Sequence, residues 1–196
     1  MEKLIISIGR QFGSGGKDIA TRVAERLQIP LYDDALLRQA AVESGIDESV
    51  FMQADEKRAL FSFSSVFGGG IGREQVFTIQ CDTIRNIASR ESAVIVGRCA
   101  NYILRDREMV LNIFITAPME KRVERIMKKH NLSDEKALAL IEKEDKARAQ
   151  YYNFFTFGEW GRASDYDCCI DSSLLGYEQT AELIVSLAEK MVAAHE

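Results

Sequence analysis

The spacing of hydrophobic residues changes within the first 27 positions of the chain. Residues 4–8 form an apolar run, LIISI, which is typical of a strand that is buried on both faces. From Ile19 to Leu27 the apolar residues recur every three or four positions, which predicts one face of a helix. The intervening segment, GRQFGSGGK, has four glycines. The pattern therefore predicts a strand, a glycine loop and a helix, in that order.

The same alternation of apolar runs and helical repeats continues along the rest of the chain. Further strands are predicted at 31–32, 93–96, 110–116 and 167–170. Helices are predicted from Asp33 to about Ser44, at 73–89, from Pro118, from Ser133 to about Tyr151, and at the end of the chain. Because helices separate the strands, the predicted fold class is α/β, with three layers, α/β/α. A parallel sheet of about five strands would have helices on both faces, in a single domain at 1–196.

Two segments depart from this alternation. Helical composition over 46–60 is followed by FSFSSVFGGGIG at 61–72, which predicts an excursion between two helices. The excursion would close over a substrate, meet a second subunit or pack beneath its own loop. The segment YYNFFTFGEW at 151–160 has six aromatic residues, which is more typical of packing than of a ligand platform. It is also compatible with a homodimer.

Composition and charge narrow the class of protein. The chain has 196 residues, of which 46% are hydrophobic and 28% charged, as expected of one soluble globular domain. Its net charge of −5 argues against sequence-independent binding of nucleic acid, because neutralising backbone phosphates requires a basic surplus. No apolar run approaches the roughly 18 residues of a membrane span. The first strand follows Met-Glu-Lys directly, so no signal peptide is expected and a cytoplasmic location is predicted.

The cysteines and histidines limit the expected metal and redox chemistry. The four cysteines are Cys81, Cys99, Cys168 and Cys169. They form no C-x-x-C pair, and we expect all four to be reduced thiols in or near the core. Only two histidines are present, His130 and His195, so a zinc site is not predicted. No residue is assigned as a metal ligand.

The glycine loop has the chemistry of a phosphate site. A strand, a glycine loop and a helix point several backbone N–H groups at one spot, at the positive end of the helix dipole. The Walker pattern G-x-x-x-x-G-K-[S/T] is matched only at Gly16-Lys17, since Gln11 stands at its first glycine and Asp18 follows the lysine. The residues predicted to bind the phosphate groups of a nucleotide are Gly13, Ser14, Gly15, Gly16, Lys17 and Asp18. The alternative is a tight turn that binds no ligand.

Two arginines near strand ends are candidate ligands for a second phosphate. Arg98 follows the strand at 93–96, and ligands of open parallel sheets bind beyond the carboxyl ends of the strands. An arginine there can make a bidentate contact with a phosphate, and the alternative is a structural salt bridge. Arg38 lies one turn into the helix that Asp33-Asp34 opens, where it either lines the same pocket or is solvated.

Charged residues on two later helices are further candidates. Helical spacing puts Asp145 and Arg148 on adjacent turns of one side, so they either face a site or make ordinary surface pairs. Lys121, Arg122 and Arg125 form a basic cluster in the helix that follows Pro118. We expect this cluster to be a solvated face of that helix, and the alternative is a position near the nucleotide.

Five segments together resemble the bacterial cytidylate kinase-like family of small P-loop kinases, over nearly the whole chain. They are IGRQFGSGGKDIA, IPLYDDALL, VGRCANYIL, EDKARAQYY, and DYDCCIDSSLLG with the helix after it. In cytidylate kinases an arginine at the position of Arg98 contributes to binding the monophosphate. Their lid helix bears R-x-x-x-D-x-x-R, of which Asp145 and Arg148 match the last two residues, whereas Ile141 stands at the first arginine.

The resemblance implies ATP-dependent phosphoryl transfer to a small acceptor, a nucleoside monophosphate such as CMP. It implies ATP and Mg²⁺ as cofactors, an acceptor-side helical insert at 33–92 and a lid-like helix and loop at 133–165. The implied catalytic residues are Lys17 and Arg148, and the implied substrate-binding residues are Asp33, Arg38, Arg98 and Asp145. Two alternatives stay open: a nucleotide- or phosphate-binding regulatory module without transfer activity, and a P-loop kinase for a non-nucleotide metabolite.

Overall fold

A five-stranded parallel sheet forms the centre of the computed structural model, which describes residues 3–43, 45 and 73–195. The strands are β1 Ile5–Arg10, β2 Leu31–Tyr32, β3 Ala93–Val96, β4 Val110–Thr116 and β5 Cys168–Asp171. Their order in the sheet is β2-β3-β1-β4-β5, and all four neighbouring pairs are parallel. β1 is central, so its carboxyl end lies between those of β3 and β4.

Seven α-helices within the described residues lie between the strands or after the last one. They are α1 Gly16–Leu27, α2 Asp34–Glu43, α3 Arg73–Arg90, α4 Ala100–Ile103, α5 Met119–His130, α6 Asp134–Thr156 and α7 Ser172–Ala194. A short 3₁₀-helix, Ala163–Asp165, precedes β5. The predicted α/β architecture, a parallel sheet of five strands with helices on both faces, is confirmed.

Both faces of the sheet are buried because successive residues of a strand point to opposite sides. Ile6 and Ile8 of β1 pack with α1 and α7 in one cluster, which includes Ile184. Ile5 points the other way, into a cluster with α3 and α4 that includes Ile84. This two-sided burial explains the unbroken apolar runs in the sequence, since neither face of a central strand meets solvent.

Several predicted boundaries move in the structure. β1 continues to Arg10, two residues beyond the apolar run, and α1 begins at Gly16. α6 continues to Thr156, so the first part of the aromatic segment is helical and packs there. The rings of Phe77 and Phe155 stack with centroids 4.1 Å apart, whereas Phe157 is 93% exposed. The predictions for 46–60 and 61–72 concern residues outside those the structure describes.

The prediction for the cysteines is wrong at one position. All four are free; Cys81 and Cys99 are buried and Cys168 is half-buried, but Cys169 is exposed. The two neighbours differ because they point to opposite faces of β5, the last strand of the sheet. Within the described ranges, no helix has the length and apolar character needed to cross a membrane.

Candidate active site

The glycine loop at 11–15 joins β1 to α1 in a conformation that requires its glycines. Gly13 and Gly15 have φ values of +79° and +81°, in the left-handed region that disfavours side chains. A Cβ on Gly15 would lie 2.3 Å from Cε1 of Tyr177, and one on Gly13 would lie 3.1 Å from Cβ of Arg122. The predicted order of strand, glycine loop and helix is therefore present.

The carbonyl groups of the loop are bound from the side of α5 and α7. Arg125 donates from Nη1 to the Ser14 carbonyl oxygen at 3.1 Å and, more weakly, to that of Gly13 at 3.4 Å. The Ser172 hydroxyl also donates to the Ser14 carbonyl, at 2.6 Å. In contrast, the N–H groups of Gly13 and Gly15 donate to no other residue in the described part of the chain. The loop thus keeps backbone donors available for an anion.

A second set of contacts ties the start of the loop to α6. The Phe12 N–H donates to Oδ1 of Asp145 at 2.7 Å. Oδ2 of Asp145 pairs with Nη1 of Arg122, which also donates to the Phe12 carbonyl at 3.3 Å. The side chain of Arg122 is only 7% exposed and that of Asp145 18% exposed. Both carboxylate oxygens of Asp145 are therefore engaged in holding the loop.

The expectation of a solvated face is wrong for two residues of the basic cluster on α5. Lys121 is exposed, but Arg122 is buried against Asp145 and Arg125 is half-buried beneath the loop. Helical spacing puts Arg122 on the side of the buried Ile126, four residues later. That spacing was the available signal, although it could not reveal which partners the arginines would meet.

Lys17, in the first turn of α1, faces the end of β2. Its Nζ atom lies 2.7 Å from Oδ2 of Asp33, and its side chain is 66% exposed whereas that of Asp33 is 18% exposed. The other oxygen of Asp33 accepts from the Ala35 N–H at 3.1 Å. The carboxylate is thus held at the start of α2, whereas the ammonium is accessible to another anion.

Arg98 lies in a strained turn directly after β3. Gly97, Arg98 and Cys99 have consecutive φ values of +74°, +56° and +57°, although only the first is a glycine. Such backbone strain is concentrated at functional sites, where the surrounding structure maintains it. The Arg98 guanidinium pairs with Asp34, whose Oδ1 also lies 3.5 Å from Nε of Arg38. The structural salt bridge that the sequence left open is therefore present at Arg98.

Arg148 extends from α6 to the carboxyl end of β1. Its Nη1 atom donates to the Arg10 carbonyl oxygen at 3.1 Å, and its guanidinium lies over the Phe12 ring, 5.3 Å from the centroid. Burial lowers the pKa of Arg148. Arg10 itself points toward Arg98 and was not singled out by the sequence analysis, because its position in a strand end gives no spacing signal.

The cations Lys17, Arg98 and Arg148 are thus brought to the carboxyl ends of neighbouring strands, beside the free amides of the loop. These donors fit the phosphate groups of a nucleotide. Next to them, the Asp18 side chain is exposed and the Ser14 hydroxyl donates to the Gln11 carbonyl oxygen. Among the described residues no group of three or more potential ligands, counting His, Cys, Asp and Glu, could hold a metal ion.

The fold and this site define a small kinase of the P-loop class. Shikimate kinase from Bacteroides thetaiotaomicron has a TM-score of 0.57 at 14% identity, covering 95% of this chain and 98% of that one, which shows a shared fold. The sequence profile of the cytidylate kinase-like family matches residues 5–174. The chain belongs to that family, and it is a cytidylate kinase-like phosphotransferase.

Two relatives cover nearly the whole length. Cytidylate kinase from Methanocaldococcus jannaschii is 28% identical over 192 residues, which are 96% of this chain and 99% of that protein. The crystal structure of an uncharacterized protein from Eubacterium ventriosum has a TM-score of 0.76 at 30% identity, over 95% of this chain and 99% of that chain. The resemblance stated from the sequence motifs is confirmed at the level of the family.

Proposed function

We propose that this protein transfers a phosphoryl group from ATP to a nucleoside monophosphate such as CMP. The observation that supports this most directly is the convergence of Lys17, Arg98 and Arg148 on the sheet edge next to the glycine loop. Phosphoryl transfer needs positioning and charge stabilisation more than covalent chemistry, and these residues can supply both. The names of curated relatives such as the Methanocaldococcus jannaschii enzyme also favour a cytidylate acceptor.

On the donor side, the amides of 13–17 bind the β-phosphate of ATP, and Lys17 exchanges Asp33 for the phosphate oxygens. The exposure of the Lys17 side chain allows this exchange without disturbing the core. Asp18 lies next to Lys17 but has no hydroxyl, so a Mg²⁺ ion that accompanies ATP would be held mainly through waters and phosphate oxygens. The bound cation would neutralise charge that develops on the phosphates.

On the acceptor side, Arg98 binds the phosphate of the monophosphate, with Asp33 and Arg38 at the same edge in the insert at 33–92. Arg148, on the lid-like segment at 133–165, stabilises the equatorial oxygens of the transferring group. Asp145 was predicted to bind substrate, but its contacts with Phe12 and Arg122 favour a positioning role for it at the loop. An ionised phosphate acceptor needs no general base, so no such residue is assigned.

The test is a coupled assay of ADP release with a panel of nucleoside monophosphates and with uncharged hydroxyl acceptors. We expect turnover with CMP or another monophosphate. Arg148→Ala should lower kcat at least about 100-fold while nucleotide affinity changes little, since its contact is made mainly in the transition state. Lys146→Ala, an exposed residue on the same helix, is the matched control. Equal losses of kcat and affinity in Arg148→Ala would remove its catalytic assignment.

A regulatory module that binds nucleotide without transfer is the second candidate, and one observation favours it. Ile141 stands where cytidylate kinases have the first lid arginine, and here it is fully buried in a cluster with Val123 and Ile126. This position faces the core, so the absent arginine has no direct substitute there. Thermal shifts with nucleotides, combined with no turnover on any acceptor, would establish this alternative.

A further inference from the structure

Arg10 ends β1 and extends its side chain from the glycine loop to the turn that bears Arg98. A Cβ on Gly16 would lie 2.5 Å from Cβ of Arg10, and one on Gly97 would lie 1.8 Å from its Nη1 atom. The two glycines therefore leave the space through which this side chain runs. Its guanidinium lies against the strained turn after β3, between the glycine loop and Arg98.

The charges around Arg10 leave it without a direct partner. Within the described ranges, no hydrogen bond or ion pair joins its guanidinium to another residue. Burial, followed by the nearby Arg148 and Arg98, lowers the pKa of Arg10 to about 9, so it remains protonated at neutral pH. Asp34 and Asp33 oppose this effect more weakly. Both are already engaged, Asp34 with Arg98 and Asp33 with Lys17.

This arrangement is unfavourable without an anion. A guanidinium has five N–H donors and a fixed charge, and placing the half-buried side chain of Arg10 beside two like charges costs free energy unless an opposite charge approaches. A phosphate dianion between Arg10 and Arg98 would accept hydrogen bonds from both and neutralise the excess charge. A group with no net charge at that position would leave the repulsion in place.

We propose that Arg10 binds the acceptor phosphate together with Arg98, at the point where the acceptor meets the donor loop. The proposal rests on the proposed function, because it assigns a further ligand to the acceptor side of that site. Arg10 then orients the attacking oxygen of the acceptor toward the terminal phosphate held near Lys17 and Arg148. Gly16 and Gly97 have no Cβ, and this leaves the space that the Arg10 side chain occupies.

Binding of inorganic phosphate to the full chain tests this assignment without any need for turnover. Calorimetric titrations would use the unmodified protein, Arg10→Gln, Arg10→Lys and the control Arg85→Gln, an exposed arginine on α3. We expect Arg10→Gln to raise the Kd for phosphate at least about tenfold, Arg10→Lys to raise it less, and the control to change nothing. A Kd within twofold of the unmodified protein in Arg10→Gln would overturn the proposal.

A thermal-shift series separates anion binding from a merely structural role. Without phosphate, Arg10→Gln should melt no lower than the unmodified protein, because it removes a repelled charge. With phosphate at one fixed concentration, the unmodified protein and the control should gain clearly more stability than Arg10→Gln. A large loss of Tm in Arg10→Gln that phosphate does not affect would indicate a structural role and refute the assignment. Should Arg10→Gln fail to fold, Arg10→Lys retains the aliphatic part of the side chain, and an unchanged Kd in that variant refutes the proposal.

Repeating the titrations with saturating ADP shows which side of the site the phosphate occupies. If ADP fills the glycine loop and the effect of Arg10→Gln persists, the phosphate lies on the acceptor side, as proposed. If the effect disappears, Arg10 serves the glycine loop and the assignment fails.

Where transfer is observed, Arg10→Gln should raise KM for the monophosphate and leave KM for ATP unchanged. Absence of transfer in the unmodified protein would refute the proposed function, whereas the phosphate titrations would still decide the role of Arg10.

Discussion

Replacing Asp145 with alanine removes the carboxylate that connects α6 to the glycine loop. Its two oxygens accept from the Phe12 N–H, at 2.7 Å, and from Nη1 of Arg122. The substitution leaves the Arg122 side chain, which is 7% exposed, with one acceptor among the described residues: the Phe12 carbonyl oxygen, 3.3 Å from Nη1. The loop amide of Phe12 loses its acceptor at the same time.

The expected loss of stability follows from the burial of this pair. Removing one partner of a buried ion pair costs about 3–5 kcal/mol, because the other charge stays buried without compensation. Asp145 is 18% exposed, so water can partly replace it, and we expect a loss of about 3 kcal/mol. For a domain of this size, about 1 kcal/mol lowers Tm by roughly 2–4 °C, so the fall should be about 6–12 °C. Asp145→Asn keeps an acceptor for the Phe12 N–H and should lose about half as much.

Thermal unfolding followed by circular dichroism measures these shifts. Glu142→Gln, an exposed carboxylate on the same helix, is the matched control and should leave Tm within about 1 °C. In a double-mutant cycle with Arg122→Met, the combined loss should be smaller than the sum by about 1–3 kcal/mol. If Asp145→Ala melts like the control, or if the two losses simply add, the connection between α6 and the loop contributes nothing and the reasoning is refuted.

Three further outcomes are expected from single positions. Gly15→Ala should lower Tm by several degrees, because a φ of +81° is strained for alanine and the new Cβ would meet the Tyr177 ring. Adding Tyr177→Ala should restore only part of the lost Tm. Full recovery would show that the backbone strain is negligible. Lys17→Met should change the free energy of unfolding by less than about 1 kcal/mol, since the ion pair of Lys17 is exposed. The same substitution should lower the rate of phosphoryl transfer at least about 100-fold. A normal rate would exclude Lys17 from catalysis. A thiol reagent should label the exposed Cys169 in the native protein before the buried Cys99, whose pKa burial raises to about 12. Mass spectrometry of peptides measures the order of labelling, and labelling of Cys99 first would contradict this prediction.

The layered fold could be predicted from the sequence because its strands are buried on both faces. The runs at 93–96 and 110–116 predicted β3 and β4 with the same bounds as the structure. Their residues meet apolar partners whichever way they point, so the signal lies in the strand itself and depends little on its neighbours. The end of β1 was less clear, because Gly9 and Arg10 pair with β4 through their backbone and not through apolar side chains.

The glycine loop, Lys17 and the motif-bearing Arg98 and Arg148 could also be found from the sequence. The order of the loop, Lys17 and Arg98 relative to strand ends is sufficient to bring them to one edge of a parallel sheet, whereas Arg148 was assigned through the resemblance of its helix to a kinase lid. The partners that hold them could not be found this way. Asp145 pairs with Arg122 across 23 residues and with the Phe12 amide across 133, and no local spacing relates these positions.

The sequence by itself therefore determined the alternation of strands and helices, the glycine loop and the family. Local patterns are sufficient for these features, because hydrophobic period and backbone conformation depend on neighbouring residues. Only the tertiary structure decided that Arg122 and Arg125 are packed beneath the loop and that Arg10 lies near both Arg98 and Arg148. The charge that a side chain meets is set by residues far away in the chain, and electrostatic interactions act through space and not along the sequence.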